Sequence, residues 1–170
     1  LYSMGPDDQP IQIVDRFPSD NSYETPFWRA DVAAVLSPSA GYLAYSLQEN
    51  ENDDFRTLFV ANTKKNDVRL VSSHIPSELL SQVGPDIPRY YCFSDTRDAL
   101  YFLQYNTEEI RTDLCVYEDG RISVVKENVI DFMFSRDEKT ILCVSPTLSG
   151  KGVPETGSPL TKLKQKYDYN

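Results

Sequence analysis

The chain has 170 residues, with 26 Asp and Glu against 17 Lys and Arg and a net charge of −9. That balance argues against a nucleic-acid backbone as partner, and suits a well-solvated surface or a field that draws in basic ligands. No apolar run approaches the roughly 20 residues of a membrane span, and no signal peptide or cofactor-binding motif is visible.

In chain order, residues 1–27 read as an irregular entry with one short strand at Ile11–Val14, followed by turn chemistry up to Pro26. From Trp28 the pattern becomes periodic. An apolar run ends at Leu36, Ser37–Gly41 turns the chain, and Tyr42–Leu47 returns it. A polar loop, Gln48–Phe55, leads into an outer pair at Thr57–Asn62 and Val68–Ser72, joined through Lys65-Asn66-Asp67. His74–Pro88 reads as a Pro-rich connection, with a helical turn or two beginning at Ser77.

The same order recurs at Arg89–Phe93, Ala99–Tyr105, Asp113–Tyr117 and Ile122–Lys126, and begins again at Val129–Phe134 and Thr140–Ser145. The three copies align on Ser37, Ser94 and Ser135, with Leu36, Phe93 and Phe134 before each serine. Leu43, Leu100 and Ile141 then open the returning strands. A repeat of roughly 40–50 residues carrying several strands is the signature of propeller blades.

The expected fold is therefore all-β, a partial β-propeller with two complete four-stranded antiparallel blades and the start of a third. The blades span 28–73, 89–127 and 129–145. A Gly/Pro-rich loop with a terminal strand or frayed helix fills 146–170. A ring needs at least four blades, so the chain, which opens on Leu1, reads as a piece of a longer propeller or one completed by partners. Cys92, Cys115 and Cys143 sit inside apolar runs, with an odd count and no C-x-x-C, and read as buried reduced thiols of a cytoplasmic protein.

Two stretches carry a family resemblance. SPSAGYLAYSLQENENDDFRTLFVANTKKNDV resembles the first propeller blade of the prolyl oligopeptidase family of serine peptidases, especially its oligopeptidase B branch. There a Ser-Pro turn precedes LAYS, an acidic loop and a Thr-Leu strand opening. IPRYYCFSDTRDALYFLQYNTEEIRTDLCVY is similar to the second blade, with its Ser-Asp turn and aromatic strand. Ser39-Ala40 stands where the family usually has Asp-Gly, and 146–159 reads as an insertion.

The resemblance implies a seven-bladed propeller capping an α/β-hydrolase domain and admitting only short peptides. The family's catalytic residues belong to that hydrolase domain. None has a matching position here, and there is no G-x-S-x-G elbow. The partners implied are the hydrolase domain or further blades, with short peptides as ligands and neither nucleic acid nor membrane. A non-catalytic propeller that docks another protein is the alternative.

His74, the single histidine, lacks a nucleophile turn beside it, and the cysteines lack zinc-ligand spacing. Glu49, Glu51, Asp53 and Asp54 form the densest acidic cluster. Without a Gly at a sharp turn they fit calcium poorly. A solvated loop is the simpler expectation for them, and steering of basic peptides at the propeller rim the functional one.

Overall fold

The computed structural model describes residues 2–4, 10–12, 34–48, 53–65, 67–77 and 90–168. They are mostly β-strand, and every strand pair among them is antiparallel. Near the start, β1 (Tyr2–Met4) pairs with β2 (Pro10–Gln12). A strand thus stands within residues 1–10, where the Gly and Pro content had suggested irregular chain, and Ile11 belongs to its partner. The expected strand residues 28–33 and the expected helical turns at 78–83 lie outside the described residues.

The first large sheet is a meander of β3 (Val35–Leu36), β4 (Tyr42–Leu47), β5 (Phe55–Asn62) and β6 (Asp67–Pro76). The second repeats it with β7 (Tyr91–Phe93), β8 (Leu100–Asn106), β9 (Arg111–Glu118) and β10 (Arg121–Lys126). A third unit is the hairpin β11 (Asp131–Phe134) and β12 (Ile141–Val144). β5, β6, β9 and β10 run longer than their apolar runs alone suggest, whereas β7, β11 and β12 are shorter than the runs at 89–93, 129–134 and 140–145. In particular β6 continues to Pro76 and takes in His74, which belongs to a strand and not to the connection after it. Pro76 is tolerated there because β6 is an edge strand and the proline stands at its end, opposite Phe55.

Strands have two faces, and here both faces of the second sheet are used. On one side Tyr91, Phe93, Leu100, Phe102 and Cys115 interdigitate with Ala44, Leu58, Val60, Val71 and Ile75 of the first sheet. On the other, Ala99, Tyr101, Leu103 and Leu114 meet Val129, Phe132, Phe134, Ile141 and Cys143 from the third unit. Consecutive residues such as Tyr101 and Phe102 therefore serve different cores, which explains why β8 reads as an unbroken apolar run.

The terminal region resolves the strand-or-helix alternative in favour of both. Helix α1 (Pro159–Lys166) is followed by β14 (Tyr167–Asp168), which pairs with β13 (Thr147–Leu148). Ser158 caps α1 by accepting from the Thr161 N–H, and Pro159 occupies the first turn, where a missing N–H costs nothing. Leu160, Leu163 and Tyr167 pack against Tyr105, Phe55 and Ile110, so the helix lies across the ends of the first two sheets. No helix among the described residues is long and apolar enough to cross a membrane.

Candidate functional site

The three aligned serines build three equivalent turns. The N–H of Ser37, Ser94 and Ser135 donates to the carbonyl of Tyr42, Ala99 and Thr140 respectively, at 2.9 Å in each case. The hydroxyl then ties down the turn's amides. Ser37 Oγ accepts from Tyr42 N at 3.2 Å, Ser94 Oγ from Thr96 and Arg97 N at 3.2 Å, and Ser135 Oγ from Thr140 N at 3.1 Å. Ser37 and Ser94 are buried, which a hydroxyl tolerates only with its hydrogen bonds made.

These turns touch one another. Asp98, in the second turn, accepts from Ser39 Oγ at 2.6 Å and from Ser39 N at 3.3 Å in the first. Glu138, in the third, accepts from Ser94 Oγ at 2.5 Å, from Thr96 Oγ1 at 2.6 Å and from the Asp95 N–H in the second. Each sheet's turn thus offers hydroxyls to a carboxylate of the next. Hydrogen bonds to the ionised form hold both acids down: Ser39 lowers Asp98, and Ser94 followed by Thr96 lowers Glu138 to about 2.

At the opposite end of the sheets lies the acidic rim. Of the four carboxylates expected to steer basic peptides, Glu49 and Glu51 lie outside the described residues. Asp53 and Asp54 are half-buried beside a shallow depression of about 280 Å³ that also involves Leu47, Phe55, Thr57 and Ser73. Asp54 Oδ2 accepts from Leu160 N at 3.2 Å, in the first turn of α1, and its carbonyl accepts from Ser77 N at 2.9 Å. A carboxylate at a helix N-terminus is favourably placed against the exposed amides and the helix dipole. The fold therefore gives Asp54 a structural task that sequence spacing did not suggest, because its partner lies more than a hundred positions away.

Ser73 and His74 are neighbours on β6, with Ser73 Oγ and His74 Nδ1 3.1 Å apart. The ring of His74 stands edge-on to Phe55, with centroids 5.3 Å apart. A nucleophilic serine needs its base held by a third group, and an oxyanion site close by. The described contacts supply an aromatic edge in that place, so the pair has the distance of a dyad without its supports.

Elsewhere the polar chemistry is structural. Asp113 is buried, accepts from Arg111 Nε at 2.8 Å and Asn128 N at 3.0 Å, and so ties the foot of β9 to the chain entering the third unit. Cys115, in the core between the first two sheets, has its thiol pushed up to about 11 by burial. Cys92 and Cys143 are only half-buried, less so than their apolar surroundings implied, because both sit near the thinner third unit. No group of His, Cys, Asp and Glu among the described residues is arranged to hold a metal. No family model matches the chain, and neither a curated protein nor a solved structure does.

Proposed function

We propose that the chain is a non-catalytic array of propeller blades. In a prolyl-oligopeptidase-type, oligopeptidase B-like serine peptidase, such an array gates peptide access to a separate hydrolase domain. The observation that carries the array is the turn row: three equivalent Ser turns, each clasped to the next by a carboxylate. Face-to-face sheets held in step at one rim are what a radial stack of blades requires. The peptidase setting rests on the resemblance of the first two repeats, and the acidic rim around Asp53 and Asp54 suits basic peptides in that setting.

The purified chain is expected to leave Arg and Lys ester substrates intact, with or without a serine-directed inhibitor. Inhibitor-sensitive turnover would overturn the non-catalytic reading. The peptidase setting is tested separately by the full-length transcript. A G-x-S-x-G between a strand and a helix supports the gate, whereas blades alone support a protein-docking propeller.

A further inference from the structure

Four prolines of the chain follow a serine or threonine, at Thr25, Ser37, Ser145 and Ser158. A proline in that place has two physical consequences. It brings no N–H that a binding groove must satisfy, and it holds the residue before it in extended backbone. A protein kinase that takes its substrate as an extended strand can select for both.

The fold treats the four positions differently. Thr25 lies outside the described residues. Ser37 is buried, and its hydroxyl bonds within its own turn. Ser145 is exposed, but Pro146 after it is buried and its carbonyl accepts from Asn128 Nδ2 at 3.4 Å. Ser158 is exposed, and so is the approach to it, since residues 150–157 are all exposed apart from the half-buried Pro154. Its backbone is already extended, with φ of −67° and ψ of 159°. Its hydroxyl lies 3.1 Å from Thr161 Oγ1 and accepts from Thr161 N at 3.3 Å, so fraying of one helical turn releases it.

An added charge at Ser158 would also have something to act on. Asp54 Oδ2 accepts from Leu160 N at 3.2 Å, and the next amide, Thr161 N, is the one bonded to Ser158 Oγ. The two oxygens therefore share the first turn of α1. Beside them Tyr105 donates its hydroxyl to the Pro159 carbonyl at 3.5 Å. That hydroxyl is raised first by burial and then by the Asp54 charge, so the charge is felt in this corner.

We propose that Ser158 is the phosphorylation site of a proline-directed protein kinase, and that the phosphate weakens the docking of α1 on the first sheet. The co-reactant is a nucleoside triphosphate. Ser158 Oγ attacks the γ-phosphorus, the bond from that phosphorus to the β,γ-bridging oxygen breaks, and the nucleoside diphosphate leaves. The hydroxyl proton passes to a carboxylate of the kinase. The phosphoserine carries about −1.5 to −2 charges and takes the amides of the first turn. It repels the Asp54 carboxylate from them, and with that carboxylate goes the tie between α1 and the strand that begins at Phe55. A helix as short as α1 is marginal in water, so looser docking exposes its amides. The proposal needs neither the propeller array nor the peptidase setting, and stands or falls apart from them.

The test incubates the folded full chain with a proline-directed serine/threonine kinase and magnesium ATP, and locates the phosphate by tandem mass spectrometry. One phosphate at Ser158 is expected, absent from Ser158→Ala, with a rate roughly tenfold lower for Pro159→Ala. Exchange at the Leu163 and Tyr167 amides should then be roughly fivefold faster in the phosphorylated chain, as repulsion in a partly solvated corner implies. Asp54→Asn, which keeps an acceptor for Leu160 N and removes the charge, should abolish that acceleration. No incorporation, incorporation only after denaturation or only at another residue, or a rate indifferent to Pro159→Ala overturns the site. Unchanged exchange on phosphorylation, or an acceleration equal in Asp54→Asn, overturns its effect on α1.

Discussion

Glu138 is the residue whose removal tests the turn row most directly. Its carboxylate accepts from two hydroxyls and an amide of the second turn. Hydrogen bonds to a charged acceptor are worth roughly 1.5–3 kcal/mol each when buried, but this rim is partly solvated, and exposed charge interactions fall below about 1 kcal/mol. Glu138→Ala should therefore cost about 1–2 kcal/mol, with Glu138→Gln about half of that because its amide oxygen still accepts. Glu138 also has φ of 53°, so Glu138→Gly relieves backbone strain of order 1 kcal/mol while losing the clasp, and should fall between the parent and the alanine variant.

The clasp has a pH signature. The folded carboxyl is depressed to about 2 from an ordinary value of 4.5. Its stabilisation is thus complete above pH 4.5, shrinks as the unfolded chain protonates below that, and is lost as pH falls through about 2. Urea unfolding followed by circular dichroism at pH 7 and pH 3 should show the gap between parent and Glu138→Ala narrowing at the lower pH. A gap that is equal at both pH values, or no gap at pH 7, would refute the reasoning.

Two further perturbations have local readouts. A thiol reagent should label Cys92 and Cys143 well before Cys115, whose thiol is both buried and raised to about 11; equal rates for all three would contradict the packing. Asp54→Ala should loosen the first turn of α1 by about 1 kcal/mol, seen as faster amide exchange at Leu160, and unchanged exchange there would return Asp54 to the solvated rim.

What the sequence could and could not disclose follows from the range of each interaction. The alignment on the serines is realised in the registers: Leu36 faces Leu43, Phe93 faces Leu100 and Phe134 faces Ile141. Those pairs are closed by short turns, so a local pattern determines them. The helix was readable in principle from Ser158, Pro159 and the spacing of Leu160, Leu163 and Tyr167, but the lysines between them also fit an alternating strand. Pro76 reads locally as a terminator that would leave His74 in the connection, whereas the end of an edge strand accepts the proline and keeps His74 in β6. The Asp54–Leu160 and Glu138–Ser94 contacts join segments far apart in the chain and exist only once the sheets have packed.

The clasps also give the stack a direction. In the first two turns the position two residues after the serine holds a hydroxyl, Ser39 or Thr96, and each donates to a carboxylate of the following turn. In the third turn that position holds Asp137, whose carboxylate accepts from Ser135 Oγ at 2.8 Å within its own turn and is lowered by that bond. An acid there meets another acid with repulsion, so the rule of hydroxyl to carboxylate cannot run one step further unchanged. A sheet stacking on the third unit in the same sense must bring an amide or a cation to Asp137. Head-to-tail contacts of this kind close into a ring or run on openly according to the rotation per step. The acid at Asp137 therefore sets the third turn apart from the first two, which both present a hydroxyl at that position.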